Sequence, residues 1–202
     1  DLIDDPLIAD RAPILARVAD RLASAQNRNV ATIGGNVANA SPAGDLISPL
    51  LLLDARVVLT SARDTRVVPI DRFFTGPGAS VLREDELLVE IRFDAPAAEK
   101  VFRFDKAGTR PAMECSVVTV GVAYTAREGR LSNVRVAFGS SAPTPLRGRK
   151  TEALLEGKIL DPPLVEQAAR TAEREVSPIS DVRGSVEYRR ALVGTFVARL
   201  LS

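Results

Sequence analysis

The sequence predicts an α+β protein. Apolar residues recur at helical spacing near both ends, as Ile14, Leu15, Val18 and Leu22, and again as Tyr188, Leu192, Phe196 and Leu200. Strand-like runs rich in Val, Thr and Phe fill the middle of the chain. In the second half three such runs come first and helices follow, the order of an α+β module.

Composition narrows the function. The chain has 202 residues, enough for one or two modest domains, and 46% of them are hydrophobic, enough for a real core. The net charge is +1, so no strong field draws the protein to nucleic acid or to a membrane surface. The 27 basic residues are nearly all Arg and are scattered; only Lys100, Lys106, Lys150 and Lys158 are lysines. Histidine is absent, which removes the commonest general base and the commonest metal ligand. One cysteine, Cys115, supports neither a disulfide nor a cysteine-ligated cluster, and in a strand-like run it reads as a small buried hydrophobe. Catalysis by such a chain would fall to a cofactor. No signal peptide or membrane-spanning run is visible, so the expected location is the cytoplasm, without membrane insertion. A chain that opens on Asp1 rather than Met is expected to lack its original N-terminus.

In chain order, residues 10–25 read as a helix capped by Asp10, with Pro13 in its first turn and Arg17, Asp20 and Arg21 off the apolar stripe. A short extended lead-in (Val30, Thr32, Ile33) precedes Gly34-Gly35. The run from Leu46 to Leu53 is almost wholly apolar and reads as a buried helix. Strands follow at 56–60 and 65–70, joined by a turn at 61–64, then a loop at 72–80 rich in Gly and Phe, then a strand at 86–93. Residues 94–99, with Pro96 among alanines, form the best boundary, dividing the chain into 1–95 and 96–202. Beyond it, strands are expected at 101–107, 116–125 and 131–139, the last two joined by a hairpin turn containing Gly129. A short helix at 151–156 ends at Gly157. Asp161 caps a helix that opens on Pro162 and Pro163 and carries Leu164, Val165, Ala168, Ala169 and Ala172 on one face. The last helix starts near Ser185, with Val193 and Val197 beside its stripe.

The stretch that organises the rest is 31–46, ATIGGNVANASPAGDL. Glycines lacking a Cβ let backbone N–H groups converge on a bound anion, although a Gly-Gly pair by itself also marks an ordinary turn. Asp45, at the head of the apolar run, is placed to cap a helix. As a whole the stretch resembles the second FAD-contacting segment of the flavoprotein (medium) subunit of the molybdenum hydroxylases, the group that contains carbon monoxide dehydrogenase and xanthine dehydrogenase. Further matches are SAQNRN at 24–29, the strand at 86–91, FDKAGTR at 104–110 and DVRGSVEYRR at 181–190. The resemblance spans nearly the whole chain. It implies a partial FAD-binding domain (a second, PCMH-type subdomain) followed by a C-terminal domain of three antiparallel strands and a helical bundle. The family's first glycine-rich loop, on a preceding subdomain, has no counterpart before Ala31, so the chain is expected to start inside the family pattern, as a fragment or a reduced form.

Carried over by residue, the resemblance implies that Thr32, Ile33, Gly34, Gly35 and Asn36 line the FAD pyrophosphate and nearby flavin. Ser41 and Asp45 hydrogen-bond ribityl or neighbouring flavin atoms, Leu87 or Leu88 packs near the ring, and Lys106 approaches the N1/C2=O edge of the isoalloxazine. A pyrophosphate carries about two negative charges, which close backbone donors can hold without Lys or Arg. Asp45 also reads as a plain helix cap and Lys106 as a solvated side chain on an edge strand. Arg189 and Arg190 read as surface or interface ion pairs. The resemblance further implies an oxidoreductase subunit whose FAD passes electrons from iron–sulfur clusters to an acceptor such as NAD or a quinone. The [2Fe-2S] clusters and the molybdenum cofactor would sit on a small and a large partner subunit. A non-catalytic scaffold docking to those subunits without FAD is the alternative reading, and a free-standing flavoenzyme of the enolpyruvyl-glucosamine reductase type ranks below both.

Overall fold

A computed structural model describes residues 2–110 and 115–202; Asp1 lies outside it. Five short helices come first: α1 (Pro6–Arg11), α2 (Pro13–Asp20), α3 (Ala25–Val30), α4 (Ile33–Ala38) and α5 (Ile47–Leu52). The first expected helix is therefore two. Asp5 caps α1, accepting from the Leu7 and Ile8 N–H groups at 2.8 and 3.2 Å, and the chain breaks at Ala12-Pro13. Asp10 lies inside α1 beside Arg11 and caps nothing; Ala12 precedes α2 without a side-chain cap. The α2 stripe is as expected, with Ile14, Leu15 and Val18 buried and Leu22 packed against the core.

Three antiparallel strands follow α5 in the order β2-β1-β5: β1 (Arg56–Thr60), β2 (Thr65–Pro69) and β5 (Leu87–Arg92). The 72–80 segment carries a small two-stranded ribbon, β3 (Phe74–Gly76) with β4 (Ala79–Ser80), where a loop was expected. Arg66 grips Glu86 with two hydrogen bonds of 2.6 and 2.8 Å and ties β2 to the segment that leads into β5.

The second sheet is antiparallel and four-stranded: β6 (Val101–Ala107), β7 (Val118–Arg127), β8 (Arg130–Gly139) and the two-residue β9 (Leu146–Arg147). Residues 128 and 129 turn the β7–β8 hairpin, both with positive φ (51° and 76°), a backbone twist that suits a two-residue turn. Cys115 is exposed, contrary to the expectation of a buried thiol, because β7 begins only at Val118 and Cys115 lies on the approach to it. Three helices close the fold: α6 (Arg149–Leu155), α7 (Pro162–Glu175) and α8 (Val186–Leu201). Asp161 and Ser185 cap the last two, accepting from Leu164 and Tyr188 N–H at 2.8 and 3.1 Å. On α8 the buried stripe runs through Val193, Phe196, Val197 and Leu200, while Tyr188 is exposed.

Two hydrophobic clusters result. One gathers α2, α5 and β1, and the other gathers β7, β8, α7 and α8. The α5 helix joins them, for all six of its residues are buried. It reaches the second sheet because β7 carries Gly121, where a Cβ would come within 2.8 Å of Leu52 Cδ1. Ser48 of α5 and Thr119 of β7 share a hydrogen bond of 3.1 Å at the same seam. Among the described residues no helix is long and apolar enough to cross a membrane.

Candidate functional site

The Gly-Gly stretch folds differently from the expected strand and loop. Ser24 Oγ accepts from Asn27 N–H and starts α3, so Val30 ends a helix. Only Ala31 and Thr32 are extended. Thr32 then caps α4, its Oγ1 accepting from Gly35 N–H at 2.9 Å. The Ile33 and Gly34 N–H groups occupy the first turn, where an α-helix offers its own donors no partner. Thr32 and Gly35 are exposed and Gly34 half-buried, so the start of α4 is open to solvent at Thr32 and Gly35. A Cβ on Gly35 would lie 2.9 Å from Thr32 Oγ1 and push the cap aside.

Leu88 packs beside this turn, its Cδ2 lying 3.8 Å from where a Cβ on Gly34 would sit. Leu87 is 71% exposed, so of the two leucines it is Leu88 that faces α4. Ser41 closes a local turn by accepting from Ala43 N–H at 3.2 Å. A cleft of about 530 Å³ opens beside Thr32 and Ile33, with Leu22, Arg28 and Leu46 among its walls.

Asp45 does not cap α5. That helix begins at Ile47 with no side-chain cap, and the Asp45 carboxylate turns instead toward the second sheet. Lys106 Nζ of β6 donates to Asp45 Oδ2 at 2.6 Å, and Ser116 Oγ donates to Asp45 Oδ1. The side chains of Lys106 and Asp45 are only 4% and 5% exposed, so Lys106 is no solvated edge lysine. Asn36 of α4 approaches the segment that carries Asp45. Its carboxamide oxygen lies 3.2 Å from where a Cβ on Gly44 would project, next to Asp45, and it is buried without a hydrogen-bond partner in the described structure.

Sequence reasoning missed the groups that fix this cluster. Ser116 is completely buried at the entry to an apolar strand, and that polar residue ahead of Val117-Val118 was the available signal. Arg189 is not a surface ion-pair partner. It is 2% exposed and donates to the carbonyls of Val117 (2.7 Å) and Ser140 (2.9 Å) and to Asp181 Oδ1 (2.6 Å). Hydrogen bonds from Arg183, and then from Arg189, hold the Asp181 carboxyl well below the usual carboxylate range. Arg190 is exposed, as expected.

The residues present fit a flavin dinucleotide. Outward backbone donors and a glycine surface suit a pyrophosphate. The buried, unpartnered Asn36 oxygen is an acceptor short of a donor, and such groups in native proteins call for a partner. A buried carboxylate next to an ammonium supplies the acceptors and the positive charge that a polar ring edge and its hydroxyl chain require.

Two family models, one for each half of the chain, define the class, the flavoprotein of molybdopterin-type dehydrogenases. The family model described as the FAD binding domain in molybdopterin dehydrogenase matches residues 1–96, and the CO dehydrogenase flavoprotein C-terminal domain matches residues 103–202. The xanthine dehydrogenase FAD-binding subunit of Escherichia coli O157:H7 is 36% identical over 204 residues, covering 100% of this chain and 69% of that protein. The carbon monoxide dehydrogenase medium chain of Hydrogenophaga pseudoflava is 34% identical, covering 100% of this chain and 70% of that protein. The solved carbon monoxide dehydrogenase from Hydrogenophaga pseudoflava, in a form lacking the molybdenum-pyranopterin moiety, superposes with a TM-score of 0.96 at 35% identity, covering 100% of this chain and 70% of that one. The chain belongs to the family of FAD-binding medium subunits of xanthine and carbon monoxide dehydrogenases, and is thus an oxidoreductase subunit.

Proposed function

We propose that this chain holds FAD and relays electrons within a molybdenum-containing dehydrogenase. It would collect them from iron–sulfur clusters on a small subunit, fed by a molybdenum cofactor on a large subunit, and deliver them to an acceptor such as NAD or a quinone. The observation that carries this reading is the buried Asp45–Lys106–Ser116 cluster beside the outward-facing start of α4.

When bound, the flavin supplies the chemistry, taking electrons singly and releasing them singly or as a hydride. The protein's part is to bind and tune. Ile33 and Gly34 N–H would hold the pyrophosphate, and Thr32 keeps those donors aimed by holding the first turn of α4. Asn36 Oδ1 would accept from the cofactor, relieving its unpaired burial. Leu88 would give the ring an apolar wall, and Asp45, held by Lys106 and Ser116, would offer its remaining lone pairs to a cofactor donor. Lys106 would bring positive charge to the ring, which favours its reduced, anionic form. No His is needed for any of these roles.

The test is anaerobic reduction of the full-length protein followed at the flavin absorbance, with and without its iron–sulfur partner. Reduction by the oxidisable substrate of the complex is expected only when both partner subunits are present. Flavin that stays oxidised in the complete complex, while the iron–sulfur clusters reduce, would contradict the relay.

A further inference from the structure

We infer that Ser116 is a positioning residue of the flavin site, acting through Asp45 on Lys106. The inference rests on the flavin reading above and goes further, because it assigns a role to a residue whose hydroxyl is engaged with Asp45. Ser116 is fully buried, and its hydroxyl takes one oxygen of the Asp45 carboxylate while Lys106 Nζ takes the other at 2.6 Å. Asp45 is thereby held at both oxygens, and its carboxyl plane cannot turn without breaking a buried hydrogen bond.

The peptide that carries Ser116 is itself fixed on two sides. Val117 N–H donates to Ala107 O at 2.8 Å, next to Lys106 in the chain, and Val117 O accepts from the buried Arg189 at 2.7 Å. Ser116 and Lys106 are therefore locked to each other through the backbone as well as through Asp45. This rigidity sets how much of the Lys106 charge reaches a ring placed beside it. The Ser116 hydroxyl turns the positive end of its dipole toward the Asp45 carboxylate and holds one oxygen away from the ammonium; without it that positive end is lost and the carboxylate is free to close on Lys106. Loss of the Ser116 hydroxyl should then weaken the positive field on the flavin and disfavour the reduced ring.

The test is the flavin midpoint potential, with the oxidised absorption spectrum, in full-length protein purified with its partner subunits. Ser116→Ala is expected to move the potential negative and to shift the flavin bands. Ser116→Cys, which nearly preserves volume but donates weakly, should move them the same way by less, and it carries the test if the alanine variant does not fold. Thr119→Val is the control, because it removes a buried hydroxyl from the same sheet that bonds Ser48 and not Asp45. Unchanged potentials in both Ser116 variants, or an equal shift in Thr119→Val, would overturn the positioning role. Wild-type protein that takes up no FAD would instead defeat the flavin reading, and this inference with it.

Discussion

Replacing Lys106 by Met removes one partner of a buried ion pair and leaves Asp45, 5% exposed, with a carboxylate whose main counter-charge is gone. Breaking a buried pair in this way costs about 3–5 kcal/mol, whereas losing an exposed pair costs about 1 kcal/mol or less. For a chain of this size about 1 kcal/mol moves the melting temperature by about 2–4 °C, so the buried case corresponds to a fall of about 6–20 °C. The double variant Lys106→Met with Asp45→Leu removes both charges and should recover most of that loss, since an apolar replacement for a buried pair is close to neutral. The assay is thermal unfolding by circular dichroism of wild type, both single variants and the double variant, all free of FAD so that cofactor binding does not enter. A fall of less than about 3 °C for Lys106→Met, the size of a surface pair's loss, would refute the buried pairing of Asp45 and Lys106.

Other consequences follow from named contacts. Arg189→Met strands the Val117 and Ser140 carbonyls and removes one of the guanidinium groups on Asp181; it should destabilise by about 2–5 kcal/mol in urea unfolding, with Arg189→Lys recovering part. Glu86 is held down to about 2 chiefly by its hydrogen bonds from Arg66, below the roughly 4.3 of an unfolded glutamate. Its contribution is complete above the unfolded value and disappears as pH falls from about 5 to about 2, so an acid titration of stability should be flatter in Glu86→Gln over that window. Gly35→Ala places a Cβ 2.9 Å from Thr32 Oγ1 and displaces the α4 cap, which should weaken FAD binding measured by titration calorimetry by about 5-fold or more, given about 1 kcal/mol for a cap.

Much of the fold was legible because local signals and tertiary packing agree. The apolar run at Leu46 makes α5, the Thr65 strand pairs with Arg56–Thr60, Asp161 caps the helix expected of it, and the last helix starts beside Ser185. The misses have physical causes. At Val30 a single serine cap at Ser24 outweighed β-branched propensity and made a short helix. Asp10 has the chemistry of a cap, but Asp5 with Pro6 starts its helix earlier. Asp45 sits where a cap would sit, yet its partner lies 61 residues away, and no window of sequence shows that. Arg189 was misread for the same reason: a lone arginine reads as surface, and only the fold buries it against the Val117 and Ser140 carbonyls, 72 and 49 residues away. Of the candidate site, the chain named Gly34, Gly35, Asp45 and Lys106 as candidates; that Gly34-Gly35 lies in the first turn of a helix, that Asp45 and Lys106 pair, that Ser116 completes the cluster, and that Leu88 rather than Leu87 faces α4, required the structure.

The central claim is that these residues hold FAD, and the most direct measurement is the flavin content of the full-length protein. The protein should be purified, denatured to release any chromophore, and the released flavin identified and counted against protein. One FAD per chain is expected, falling well below that in a variant carrying both Gly35→Ala and Lys106→Met. Protein that remains colourless after incubation with excess FAD, or a flavin content untouched by both substitutions, would contradict the account.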